Sequence, residues 1–324
     1  MRYCKMLSID VLSRHKISLI SNLLFLVLSA FHSGNATAEG LSHYIENERN
    51  CFEDPSGDGV DKRAKKVNET IVCKKFDYLV DGIRVDGFYA YSQVHDERIP
   101  AIIFNRGGNG SFGAIGKEEL ESILLPFANR GYFIIATQYR GLDKGDFALD
   151  EFGGKDVNDV LFLLNIIDDV KFVDNKRIGI FGTSRGAMMS LLANKFSNRF
   201  GATAIISPPT DLINELKTKY GQEMEKNVFI KKIPAYKKNK VSELKNRSAT
   251  YWVDKLEKKS PILVIHSIDD DRISPLNTLR FVEKLHTSHI QYKLVMFESG
   301  EHSLKGHRNE MLNAVNDWFS KFLK

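Results

Sequence analysis

From Ile71 onward, apolar positions fall into two alternating periods. Ile71–Val80 and Ile83–Tyr91 are runs in which apolar residues recur at nearly every second position, joined by Asp81-Gly82. Asp-Gly between two such runs predicts an antiparallel hairpin, because both turn positions tolerate a positive φ. After it, short apolar runs alternate with longer segments of helical period. Strands are expected at 101–104, 132–137, 178–181, 203–207, 261–266 and 292–297, and helices at 117–130, 156–170, 185–197, 275–287 and 309–323. Short strands without polar alternation, separated by amphipathic helices, predict a mostly parallel sheet covered on both faces. The leading hairpin adds antiparallel strands at one edge. This is an α/β chain whose folded domain is expected over 71–324. The alternation breaks between 211 and 260, a lysine-rich stretch with apolar spots at Phe229, Tyr236 and Trp252, read as a possible cap insertion. Those three residues either wall a pocket or belong to the core.

The N-terminus has a different pattern. Arg14 and Lys16 precede an apolar run from Ile17 to Phe31, followed by Ala36-Thr37-Ala38. That order predicts a secretory signal peptide over 1–38 and a secreted or periplasmic mature chain beginning near Glu39; an uncleaved run would be a membrane anchor. Residues 39–70 are polar, without clear period, and read as an N-terminal extension. Asp54–Gly59 hints at a calcium loop, but Lys65 stands where a bidentate Glu is required, and the reading fails. Beyond the signal the only cysteines are Cys51 and Cys73. In an exported chain they can close one disulfide over a loop of about 20 residues, contributing about 3 kcal/mol, or remain two thiols. Composition narrows the function classes. Hydrophobic residues make up 43% and charged ones 27% of the 324 residues, an ordinary globular balance, and a net charge of +5 with four bases in the first 16 residues gives no basic face for nucleic acid.

The candidate chemistry lies at strand ends. Gly182-Thr183-Ser184-Arg185-Gly186 fits G-x-S-x-G, with an apolar strand before it and a helix former after it. A serine on such a turn is thrust out of the backbone, and the helix N-terminus points N–H groups at a developing oxyanion. The loop Asn105-Arg106-Gly107-Gly108 follows an earlier strand and lacks the Gly-Lys-Ser/Thr ending of a phosphate loop. Its glycines suit close approach of N–H groups, so Arg106 and Gly107 are candidate oxyanion-hole residues together with the backbone N–H of Arg185. The strand ending at His266 leads into Asp269-Asp270-Asp271, and the strand ending near Phe297 leads into Gly300-Glu301-His302. The chain order Ser…Asp…His is that of a hydrolase triad, with His302 as base. His266 reads as a packing residue. His286, His289 and His307 lack ligand spacing, and neither metal nor cofactor is implied.

With these residues in place, the chain resembles the catalytic domain of the prolyl oligopeptidase family of α/β hydrolases over about 71–324. The resemblance rests on Asn105–Gly108, Gln138-Tyr139-Arg140-Gly141, Asp150–Asp156, Gly182–Gly186 and His266–Ile273. It implies an α/β-hydrolase fold and places the acid on Asp270, fourth after His266. It departs from the family where Arg106 replaces a tyrosine or histidine that large members carry and where Ser267 replaces a glycine. Those members also carry a propeller, for which 39–70 is too short. Asp150–Asp156 resembles a family segment at a helix start, and its acids read as structural. The expected activity is a serine hydrolase working through Ser184, His302 and Asp270, a peptidase on short peptides or an esterase of the same fold. A non-catalytic binding protein is the alternative from another class.

Overall fold

The computed structural model describes residues 41–52, 70–95, 97–142 and 144–324. The expected signal peptide and most of the 39–70 extension lie outside the described residues. The nine strands of the described residues form one sheet: β1 (Glu46–Asn50), β2 (Ile71–Val80), β3 (Ile83–Ser92), β4 (Ile99–Asn105), β5 (Phe133–Thr137), β6 (Val173–Thr183), β7 (Phe200–Ile206), β8 (Ile262–Ser267) and β9 (Tyr292–Phe297). Their order across the sheet is β1-β2-β3-β5-β4-β6-β7-β8-β9. The pairs β1–β2, β2–β3 and β3–β5 are antiparallel and every pair from β5–β4 onward is parallel. The fold is α/β with a mostly parallel sheet.

The hairpin is one strand in from the edge, because β1 pairs outside it. Glu-Asn-Glu-Arg-Asn carries no apolar alternation, so nothing in its pattern announces a strand. Pairing and side-chain bonds hold it instead. Asn47 donates to Asp77 at 2.9 Å, Arg49 pairs with the same carboxylate at 3.2 Å, and the Cys51 N–H donates to the Cys73 carbonyl at 3.2 Å. Cys51 and Cys73 are joined by a disulfide with Cα atoms 5.5 Å apart. Closing the intervening loop stabilises the fold by about 3 kcal/mol. Reduction should therefore lower the melting temperature by roughly 5–10 °C. Identical melting curves with and without reductant would remove this contribution.

Alternate residues of the central strands serve opposite faces. Ile103, Ile180 and Val264 pack with α2 (Val157–Asp169), α3 (Arg185–Phe196) and α7 (Pro275–Thr287). Ile102, Phe104, Phe181 and Leu263 pack with α1 and with α8 (Arg308–Leu323). The element α1 is the helical stretch Lys117–Glu119 and Leu125–Asn129 with a π-helical turn, Leu120–Leu124, between them. The 211–260 stretch is helical throughout much of its length, beginning with α4 (Leu212–Glu215) and α5 (Lys219–Met224) and including α6 (Tyr236–Arg247). Asp211 caps α4 by accepting the Asn214 N–H at 3.0 Å, and Thr218 caps α5 through the Gly221 N–H at 3.0 Å. Among the described residues no helix is long and apolar enough to cross a membrane.

Candidate active site

Ser184 stands between β6 and α3 with φ 54° and ψ −123°, a backbone state that costs of order 1–3 kcal/mol in a non-glycine residue. Its own N–H donates to the Ile206 carbonyl at 2.8 Å, pinning the turn to the neighbouring strand. The glycine of this turn is a matter of space. A Cβ on Gly186 would lie 1.9 Å from the Asn105 carbonyl oxygen, so any side chain would push α3 away from the loop after β4. That loop reaches the serine closely: a Cβ on Gly107 would meet the Thr183 carbonyl at 3.2 Å and the Ser184 Cβ at 3.6 Å. Arg185 is the first residue of α3, where no intrahelical acceptor exists for its N–H. The backbone N–H groups of Gly107 and Arg185 are thus the donors available on the two elements that flank Ser184.

The Arg106 side chain is not one of them, although the sequence left open whether this candidate would act through its side chain or its backbone. Its Nε and Nη2 donate to the Gln138 carbonyl at 2.9 and 2.7 Å, Nη2 also to that of Gly110 at 2.9 Å, and Nη1 to those of Gly107 and Phe112 at 3.0 and 3.2 Å. Five carbonyl bonds occupy the guanidinium, which holds the glycine loop in shape from within. Other sequence motifs brace the same loop. Tyr139 donates its hydroxyl to the Arg106 carbonyl at 3.0 Å, and the Gln138 amide exchanges hydrogen bonds with the backbone of Ile115 at 2.9 and 2.8 Å.

Arg185 has a second role that its sequence position does not reveal. Its buried guanidinium binds Asp150 through two bonds of 2.9 and 2.6 Å, Asp156 at 2.6 Å and the Gly108 carbonyl at 3.0 Å. Asp150 in turn accepts the Gly110 N–H at 3.1 Å. Burial opposes ionisation of Asp150, but the Arg185 charge and hydrogen bonds override it and hold the carboxyl well below the usual range. The acids of 150–156 thus serve structure, as expected, and the structure they serve is the loop beside the serine.

Asp270 follows β8. Its Oδ1 accepts the N–H groups of Arg272 and Ile273, both at 2.9 Å, and its Oδ2 accepts two imidazoles, His302 through Nδ1 and His266 through Nε2, both at 2.8 Å. Burial again opposes ionisation. The hydrogen bonds from His266 and His302 outweigh it and keep the group a carboxylate far into acid. His266 is fully buried, and its Nδ1 lies 2.8 Å from the Thr278 hydroxyl. A Thr278 hydroxyl donating to Nδ1 leaves the proton on Nε2, directed at Asp270. Its reading as a packing residue is therefore incomplete, since it is a ligand of the candidate acid. The i, i+4 spacing to Asp270 across a strand end is the only signal the sequence holds for this contact. Asp269 supports the other side. It accepts the Ser267 hydroxyl and the N–H groups of Gly300 and Glu301 at 3.2 and 2.9 Å, tying down the loop that carries His302.

Ser184, Arg185, Gly107 and His302 all line one cavity of about 470 Å³. The insertion supplies part of its wall through Leu212, Glu215, Tyr220, Met224 and Phe229. All three aromatic residues left open by sequence are buried in the core, and of them Phe229 also lines the cavity. Among the described residues no group of three or more His, Cys, Asp or Glu side chains is arranged to hold a metal ion.

Comparison with known proteins agrees with this geometry. The chain is 26% identical over 213 residues to an uncharacterized peptidase, YtmA, of Bacillus subtilis, a match covering 65% of this chain and 79% of that protein. It is 21% identical over 245 residues to dipeptidyl aminopeptidase B of Saccharomyces cerevisiae, covering 70% of this chain but only 28% of the yeast protein. Among solved structures, the acylaminoacyl peptidase of Pyrococcus horikoshii superposes with a TM-score of 0.68 at 23% identity, over 82% of this chain and 44% of that one. The chain thus spans most of the Bacillus relative and less than half of the yeast and archaeal proteins. That likeness carries the α/β-hydrolase fold, and the family model described as the prolyl oligopeptidase family matches residues 119–324. On this match the chain belongs to the prolyl oligopeptidase family of serine-type peptidases.

Proposed function

We propose that this protein hydrolyses short peptides through an acyl-enzyme, with Ser184 as nucleophile, His302 as general base and then general acid, and Asp270 as the carboxylate that orients His302. The observation that carries the reading is the 2.8 Å bond from His302 Nδ1 to Asp270, made at the wall of the cavity into which the strained Ser184 turn projects. Bonding at Nδ1 leaves Nε2 to accept the serine proton and later protonate the leaving amine. The N–H groups of Arg185 and Gly107, with the backbone of Arg106, would receive the oxyanion. Labelling of Ser184 by a serine-directed phosphonate, followed by a panel of short peptides and esters, tests the assignment. Unlabelled protein would favour a non-catalytic binding role on the same fold. Ester turnover without cleavage of any peptide would make the enzyme an esterase, since both reactions pass through the same intermediate. The disulfide supports export to an oxidising compartment, secreted or periplasmic; intact-mass analysis showing a mature chain starting near Glu39 tests this, and retention of residues 1–38 would support a membrane anchor.

His266 contributes to the same mechanism by positioning. Removing a hydrogen bond to a charged group costs about 1.5–3 kcal/mol. His266→Leu should accordingly lower kcat by roughly 10–100-fold with little change in KM, because Asp270 loses one of the bonds that aim it. His266→Gln, whose amide keeps a donor, should recover part of the loss. Wild-type kcat in His266→Leu would show that Asp270 needs no such support.

A further inference from the structure

Glu215 is an acid with a charge that its local contacts do not require. It closes α4, is 2% exposed, and lines the cavity that also contains Ser184. Its carboxylate accepts the Asn277 amide at 2.6 Å and the Ser274 N–H at 3.2 and 3.3 Å, which anchors the first turn of α7. Both donors are neutral, and a glutamine oxygen would accept them equally well. The other acids nearby make the charge less welcome. Burial pushes the group up to about 7, the Asn277 and Ser274 bonds oppose the rise, and the negative charges of Asp270 and Asp211 add to it.

Of the four arginines that line the cavity, three are engaged by other groups, and the fourth, Arg272, is solvent-exposed and does not bond Glu215. Arg106 and Arg185 are held by carbonyls and by Asp150 and Asp156, and Arg308 pairs with Glu118 at 2.7 Å. On its own side of the cavity Glu215 is flanked by apolar Leu212, Met224 and Phe229 and by the Tyr220 ring, and the other two carboxylates of the lining, Glu118 and Glu119, belong to α1. A carboxylate in such a wall is only partly solvated, so a cation brought beside it gains far more than it would in water.

We propose that Glu215 selects substrates whose acyl part carries a positive charge, an ammonium or guanidinium that enters this cavity while Ser184 attacks the adjoining carbonyl. The inference rests on Ser184 being the nucleophile. The volume of about 470 Å³ accommodates a lysyl- or arginyl-sized chain. The cation has two possible sources, a basic side chain or the free α-amine of an N-terminal residue.

Three thiobenzyl esters separate them: N-acetyl-lysyl, N-acetyl-norleucyl and norleucyl with a free amine. Wild-type kcat/KM should favour one cation-bearing ester over the blocked norleucyl ester by about 10–100-fold. A lysyl preference identifies the side chain, and a preference for the free amine identifies the N-terminus. Glu215→Gln, which retains the α7 anchor, should lose that preference and keep turnover of the blocked norleucyl ester. Equal wild-type rates on all three esters would overturn the proposal without any variant, as would an undiminished preference in Glu215→Gln. No turnover of any ester together with no phosphonate labelling at Ser184 would overturn the hydrolase reading itself, and this one with it.

Discussion

Ser184→Ala should abolish phosphonate labelling and lower kcat by about 10⁴-fold or more, leaving only what binding and the oxyanion donors provide. The fold should survive intact. Alanine is no more strained than serine at φ 54°, and the Ser184 N–H bond to Ile206 belongs to the backbone. Gly182 and Gly186, which set the approach of strand, helix and loop, are untouched. Melting temperature and kcat should therefore separate, the first unchanged and the second nearly lost. Retention of more than a tenth of wild-type activity would remove Ser184 as nucleophile.

Asp270→Asn should be nearly as damaging, at roughly 10⁴-fold in kcat. The reason is specific to the bonds around it. Oδ1 of the variant can still accept the Arg272 and Ile273 N–H groups, so the loop keeps its shape. The new amide nitrogen then faces His266 and His302, which both donate to Oδ2 in the native protein. For His302 to accept from the amide, its proton must move to Nε2, and that nitrogen can no longer take the serine proton. Asp269→Asn should cost far less, about tenfold, because Asp269 fastens the Ser267 hydroxyl and the Gly300–Glu301 backbone without touching the His302 side chain, and Asp271→Asn, at an exposed position, should leave kcat near wild type. A larger loss at Asp269 than at Asp270 would contradict this assignment. Asp270 is held ionised well below the usual carboxylate range, so its own protonation should not limit activity in mildly acidic solution, and a loss of kcat traced to protonation of Asp270 there would contradict its bonding.

Much of this was legible because the relevant physics is local. The Asp81-Gly82 turn, the apolar strands and the amphipathic helices each declare themselves within ten or so residues. α7 and β9 lie where the periodicity places them, and α2, α3 and α8 agree within a residue or so at each end. The strained serine turn is local too, as it needs only a strand, a helix and two glycines. β1 was not legible. Its five polar residues are strand because Cys51 is bonded to Cys73 and Asp77 draws in Asn47 and Arg49.

Around the site the division is the same. The amino-acid order by itself determined which strand ends carry a serine, an acid and a histidine, because chain order and loop position are properties of sequence. It could not decide what the side chains of Arg106 and Arg185 do, since each binds a partner distant in sequence, Gln138 at 32 residues and Asp150 at 35 residues, and a guanidinium looks alike whether it binds substrate or its own loop. Nor could it show that His266 shares Asp270 with His302, or that Glu215 reaches the cavity while Tyr236 and Trp252 turn into the core. Those outcomes depend on which buried polar groups find partners once the sheet has closed, and only the packed tertiary structure brings the partners within reach.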